Sequence, residues 1–193
     1  MNDGSPGADG PDEEFDHQLT HVLQTQGREI EIRVLVPASW RLWRDLRLAA
    51  LAEAPASFTS RLADWRNADE NRWRERLAIP GSVNLVALLD GTPAGMASGL
   101  PGPDGTPHLS SMWVSPAGRG QGIGDRLVQA VAEWAGQQGA AVLRLTVAEG
   151  NERAAAMYRR NGFADTGDLA GTPDGGRMAT VMVKQLRPPA GRL

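Results

Sequence analysis

Arg119-Gly120-Gln121-Gly122-Ile123-Gly124 places glycines at alternate positions after a strand-like run and just before an apolar helical pattern. A strand, a glycine turn and a helix in that order bring unpaired backbone N–H groups and a positive helix end to one spot, which makes an anion site. A side chain at Gly120, Gly122 or Gly124 would hold a phosphate away from the backbone, and the turn is one where positive φ is expected. Arg119 adds a charged donor beside it. Further on, Asn151 and Tyr158 lie seven residues apart, close to two helical turns, so both face one region, with Asn151 in the position of a helix cap. Tyr158 is the only tyrosine of the chain. His108, at the start of a strand, carries a side chain that exchanges protons near neutral pH.

The residues that are missing narrow the anion. A P-loop needs a Lys-Ser/Thr pair after its last glycine, and here Gly124 is followed by Asp125-Arg126. The dinucleotide fingerprint G-x-G-x-x-G fails too: Gly118 and Gly120 lead to Ile123, and Gly120 and Gly122 lead to Asp125. There is no cysteine, which excludes thiolate nucleophiles, disulfides and cysteine-bound zinc. His17 and His21 have the spacing of a helical metal pair but no further ligand near them, so no metal is expected.

The elements that must position these groups are legible from periodicity. Ile30–Val36 alternates as a half-buried strand. Ser39 opens a helix to about Ala54, with Leu42, Leu46, Ala49 and Ala50 on its apolar stripe and Pro55 as its stop. A second helix is expected from about Ser60 to Ala78, with Leu62, Trp65, Asp69 and Trp73 near one face. Strands follow at Asn84–Asp90, Pro93–Leu100 and His108–Ser115, the first two as a hairpin across Asp90-Gly91. Ile123, Leu127, Val131, Trp134 and Ala135 then mark a helix over Gly122–Gln137. A strand at Ala141–Val147, a helix at Asn151–Arg160 and strands at Phe163–Asp168 and Arg177–Leu186 complete an α/β fold: a mixed, mostly antiparallel sheet of about seven strands with helices on both faces.

Composition sets the frame. With 193 residues, 41% of them hydrophobic and 22% charged, the chain suits one globular domain over residues 29–187, between a disordered acidic tail at 1–28 and a short tail at 188–193. The net charge of −3 belongs to the tail: residues 1–20 hold six acids and no Lys or Arg, leaving 20 basic and 17 acidic residues in the remainder. The arginines are dispersed among Trp, Leu and acids, so no nucleic-acid partner is expected. Without a membrane span or leader, the expected location is cytoplasmic, with no membrane partner.

The glycine turn resembles the R/Q-x-x-G-x-G/A signature of the GCN5-related N-acetyltransferase (GNAT) superfamily, and Asn151–Phe163 is similar to that family's N-x-x-A-x-x-x-Y-x-x-x-G-F segment. The likeness covers residues 30–186 in element order and 108–163 in motif. It implies acetyl-CoA as co-substrate, without a metal. The backbone of Met112 and Val114, flanking Trp113, would pair with the pantetheine arm like an added strand. Arg119, Gly120, Gln121, Gly122, Ile123, Gly124 and Asp125 would hold the pyrophosphate, with the Asp125 side chain in solvent, and Asn151 would join the cofactor site. The resemblance makes Tyr158 the general acid that protonates the departing thiolate. It places His108 where the histone-modifying branch carries its glutamate base, with Glu149, Asp69 and Glu70 as rivals. Phe58, Trp65 and Trp73 are candidates to line the acceptor pocket. The expected reaction is direct attack of a primary amine, of a small molecule or a peptide, on the thioester in a ternary complex. The alternatives are a non-catalytic CoA-binding domain or a longer acyl-CoA, and a homodimer is left open.

Overall fold

The structure is a computed structural model that describes residues 15–25, 27–102, 104–171 and 178–186. One mixed sheet of eight strands runs through it, in the order β1-β2-β3-β4-β5-β6-β8-β7. The strands are β1 (Phe15–Thr25), β2 (Arg28–Leu35), β3 (Val83–Leu89), β4 (Thr92–Leu100), β5 (His108–Val114), β6 (Val142–Ala148), β7 (Ala164–Gly171) and β8 (Met178–Gln185). Seven of them are the expected ones. The eighth, β1, pairs antiparallel with β2 inside the stretch that composition reads as tail, so the sheet begins earlier than its polar content suggests. His17 and His21 therefore belong to a strand and not to a helix. Residues 1–14 and 187–193 lie outside the described residues.

The helices are α1 (Trp40–Glu53), α2 (Leu62–Arg66), α3 (Glu70–Leu77), α4 (Ile123–Gln137) and α5 (Glu152–Arg160). The single helix expected over 60–78 is two, because Asp69 leaves helical geometry and caps α3, its Oδ1 accepting from Arg72 N at 2.9 Å. The stripe of α1 is also rotated from the expected one. Trp43, Leu46, Arg47, Ala50 and Leu51 are buried, while Ala49 is exposed and Leu42 only partly covered. Ser39 precedes α1 without donating or accepting a side-chain cap bond, since a 3-10 turn at Pro37–Ser39 leads the chain into the helix.

Two apolar layers flank the sheet. On one face Ile123, Leu127, Val131 and Ala135 of α4 pack against β2–β6, with Tyr158 and Phe163 in the same cluster. On the other, Trp40, Trp43 and Leu46 of α1 and Trp73 and Leu77 of α3 meet Val86, Met96 and Trp113. Gly99 in β4 seats α4 closely: a Cβ there would stand 2.4 Å from the Trp134 ring.

The sheet is interrupted where the site lies. β5 and β6 run parallel but pair only at His108↔Arg144, reinforced by Arg144 N donating to Pro107 O at 3.0 Å. Beyond that pair the strands part toward Val114 and Ala148, and a cleft opens between them. β5 is also bulged. Its register against β4 shifts between Ser98↔Ser110 and Met96↔Trp113, and Ser111 sits at φ 53°. An inserted residue reverses the side-chain alternation. Leu109 thus packs on the α4 side and Trp113 on the α1 side, although four residues separate them.

Candidate active site

The cleft holds two cavities that meet. One, about 640 Å³, runs from the glycine turn between Met112–Val114 and Thr146–Ala148, beneath Asn151, Ala154 and Met157. The other, about 540 Å³, lies on the α1–α3 side and is walled by Trp43, Arg47, Phe58, Trp65, Trp73 and Arg76, with His108 and Arg144 toward β6. Ser57, Phe58, Met112, Thr146 and Tyr158 line both.

At the glycine turn, Gly120 and Gly122 have φ of 78° and 80°, a left-handed conformation that other residues enter at a cost, and Gly122 is the N-cap of α4. Intrahelical bonding of α4 starts at Arg126, whose N–H reaches Gly122 O at 3.2 Å. The N–H groups of Ile123, Gly124 and Asp125 therefore have no helical acceptor, at the turn where the sequence leads one to expect an anion site. Gly124 is confined for a different reason: a Cβ would lie 2.7 Å from Met157 Sδ, narrowing the channel where α4 meets α5.

The charged groups differ from expectation. Arg119 does not offer a free guanidinium to the turn: Nε donates to Val114 O at 3.2 Å and Nη2 to Glu53 Oε2 at 2.8 Å. Glu53 also accepts from Trp113 Nε1 at 3.0 Å, and these two donors hold its carboxyl below the usual range. The end of α1 is thereby fastened to β5 and the turn. The Asp125 side chain is not in open solvent either. Arg160 donates to both of its oxygens at 2.8 and 2.9 Å, and Asn161 Nδ2 donates at 2.6 Å. That pairing offsets the charge of an acid at the head of α4. Arg153 and Arg160 line the cavity and were not singled out in the sequence, because charges on a short polar helix read as a solvated face.

Asn151 caps α5, its Oδ1 accepting from Ala154 N at 3.2 Å, and its Nδ2 donates to Ser57 Oγ at 3.2 Å across the cleft. Tyr158 is 7% exposed, its ring edge-on to Phe163 at 5.8 Å between centroids. Burial raises its pKa above the ordinary phenol value, so the hydroxyl stays protonated. No partner engages that hydroxyl among the described residues. Of the cofactor-site candidates, Met112, Trp113, Val114, Arg119, Gly120, Gly122, Ile123, Gly124, Asp125, Asn151 and Tyr158 line the larger cavity, while Gln121 does not. The indole of Trp113 is turned toward Glu53 and the α1 layer.

Of the base candidates, His108 borders the smaller of these two cavities, and Asp69, Glu70 and Glu149 border neither. Its pKa is lowered, first by burial and then by Arg76 and Arg144, with Asp104 opposing. Asp69 is committed to its cap, Glu70 to Arg74 at 2.7 Å, and Glu149 is exposed beyond β6. Phe58, Trp65 and Trp73 line the smaller cavity, the two indoles 4.7 Å apart, and Phe58 borders the larger one too. Among the described residues no group of three His, Asp or Glu side chains is placed to hold a metal, and no helix is long and apolar enough to cross a membrane.

Residues 43–163 match the model of the acetyltransferase (GNAT) family. A thialysine N-epsilon-acetyltransferase of Bos taurus is 39% identical over 64 residues, 33% of this chain and 38% of that protein. The chain thus spans well under half the length of the curated relatives it matches. A ribosomal-protein-alanine N-acetyltransferase from Brucella melitensis superposes with a TM-score of 0.66 at 28% identity, over 80% of this chain and 99% of its own. A putative acetyltransferase from Salmonella typhimurium, solved with its cofactor acetyl-CoA, gives a TM-score of 0.66 at 22% identity, over 85% and 98% of the two chains. The matched stretch runs from α1 through both sequence motifs to the end of α5, and on that basis the chain belongs to the acetyltransferase (GNAT) family.

Proposed function

We propose that this protein is an acetyl-CoA-dependent N-acetyltransferase whose two substrates enter by the two cavities and meet at Tyr158. The observation that carries this reading is the shared wall. Met112, Thr146 and Tyr158 border an anion-binding channel on one side and an aromatic chamber on the other. A co-substrate with a phosphate-rich end and a thioester at the other would fit the channel, and it supplies a carbonyl activated for attack by an amine.

The residues then have separable tasks. The first N–H groups of α4 hold the pyrophosphate, and the edge of β5 released from β6 offers the Met112 and Val114 backbone to the pantetheine arm. His108, held neutral by its surroundings, takes the proton from the acceptor ammonium through the chamber. Tyr158 directs its hydroxyl hydrogen at the sulfur as the C–S bond breaks and the N–C bond forms; the attacking nitrogen then gives its surplus proton to solvent, from which the thiolate is protonated. The raised pKa of Tyr158 makes full transfer to a thiolate of pKa about 8.5 uphill, so its hydrogen bond acts chiefly while the sulfur charge develops.

The test is thiol release from acetyl-CoA over a panel of primary amines, with propionyl- and succinyl-CoA in parallel. Transfer to at least one amine, strongly reduced in Tyr158→Phe, is expected. Tight acetyl-CoA binding with no transfer to any amine would leave a binding domain and end the enzymatic reading. Faster turnover of a longer donor would reassign the acyl group.

A further inference from the structure

The acceptor chamber is cationic. Arg47, on the buried face of α1, is 8% exposed, and its guanidinium carbon lies 4.6 Å from the centre of the Phe58 ring. Arg76 of α3 lies 5.3 Å from the Trp43 ring and is held from behind by Asn84 Oδ1 at 3.0 Å, Ser98 Oγ at 3.0 Å and Ser111 Oγ at 3.4 Å. Neither arginine has a carboxylate within salt-bridge distance among the described residues. Arg144 stands at the rim, 3.6 Å from Asp104, the one acidic residue on the chamber wall. Two donors in this wall lack any acceptor: Arg47 Nη1 and, one turn away on α1, Trp43 Nε1.

Buried cations without a counter-ion are costly, and here burial and mutual repulsion push the pKa of Arg47 down to about 10. Both arginines stay charged at neutral pH and face a chamber with a single opposing carboxylate. A second cation in that space is repelled, whereas an anion there offsets the cost of the buried charge. We propose that the acceptor is an amine that also carries a carboxylate, received by Arg47 with Arg76 beside it, and that polycationic amines are excluded. This rests on the N-acetyltransferase reading and names its acceptor class. It reverses the usual expectation that a site for ammonium groups is lined by acids.

Matched acceptors test it: amino acids, their carboxamides and their decarboxylated amines, compared by kcat/KM for thiol release. The carboxylates are expected to lead by about 10- to 100-fold, mostly through KM. In Arg47→Met the lead is expected to collapse toward unity, while Arg44→Gln, on the outer face of α1, retains it. A lead that survives in Arg47→Met, or equal rates for carboxylate and carboxamide in the wild type, overturns the proposal and leaves the transferase reading standing. Calorimetric binding of the N-acetylated carboxylate product provides a readout without turnover, with Arg76→Lys as a second variant if Arg47→Met does not fold. Arg47-dependent binding without transfer to any amine would sustain the anion site while the enzymatic reading fails.

Discussion

The pKa values of Tyr158 and His108 move in opposite directions for one physical reason. Burial disfavours the charged form of each, keeping the phenol protonated and the imidazole neutral. Tyr158→Phe keeps the ring packed on Phe163 and removes only the hydroxyl. It should lower kcat by about 10²- to 10⁴-fold with little change in acetyl-CoA affinity, measured by steady-state thiol release and calorimetry. If His108 is the base, kcat/KM should fall on the acid side with a midpoint below the ordinary histidine value of about 6.5, and His108→Asn should lose that limb. The same shift affects folding. Because the folded-state pKa is the lower one, the unfolded chain takes up the proton first as pH falls, so stability declines below about pH 6.5 and levels off beneath the folded value. Thermal melts between about pH 8 and pH 5 should show this dependence reduced in His108→Asn.

Among the elements, the head of α4 is the one to which the proposed function gives the pyrophosphate, and its glycines are constrained for separate reasons. Gly122→Ala forces a Cβ into the left-handed region at a cost of roughly 1–2 kcal/mol, expected as a lower melting temperature and weaker acetyl-CoA binding. Gly124→Val leaves φ ordinary but drives a side chain into Met157. It should weaken binding with a smaller loss of stability, since the thioether can move. Most of these elements were legible, because the apolar period of α4 and the alternation of β2 each report one buried face. The missed features have local causes. The bulge at Ser111 changes the facing of one strand while leaving its hydrophobic content intact, so periodicity passes over it. The break at Asn67–Asp69 is set by a cap that also fits a helical face. Arg47 reads as one more charge on a helix whose stripe, from Leu42 and Leu46, was placed one position round. The motif residues were found because glycine spacing and the Asn151–Tyr158 interval are constraints on backbone and face, which a sequence states directly.

For the whole molecule, two helical layers around a splayed sheet make the site a junction between packing units. In the proposed reading the α4–α5 layer carries the donor side and the α1–α3 layer the acceptor side; the two are joined where Glu53 accepts from Trp113 and Arg119 and where Asn151 reaches Ser57. An uncompensated arginine in the α1 layer implies that stability has been yielded for function. Arg47→Met removes an orphan buried donor, a gain of roughly 1–3 kcal/mol, against loss of its stacking on Phe58, about 0.5–2 kcal/mol. A net rise in melting temperature is expected by calorimetric scanning, and a fall would mean that the stacking dominates. The shared wall at Tyr158 has a pharmacological consequence as well. A single inhibitor that tethers a CoA fragment to an acceptor mimic across that wall would convert two modest affinities into one high avidity, through the effective concentration set by a short linker. Since the proposed CoA-binding half offers mainly main-chain groups that any relative can supply, selectivity in such a compound would reside in its anionic arm.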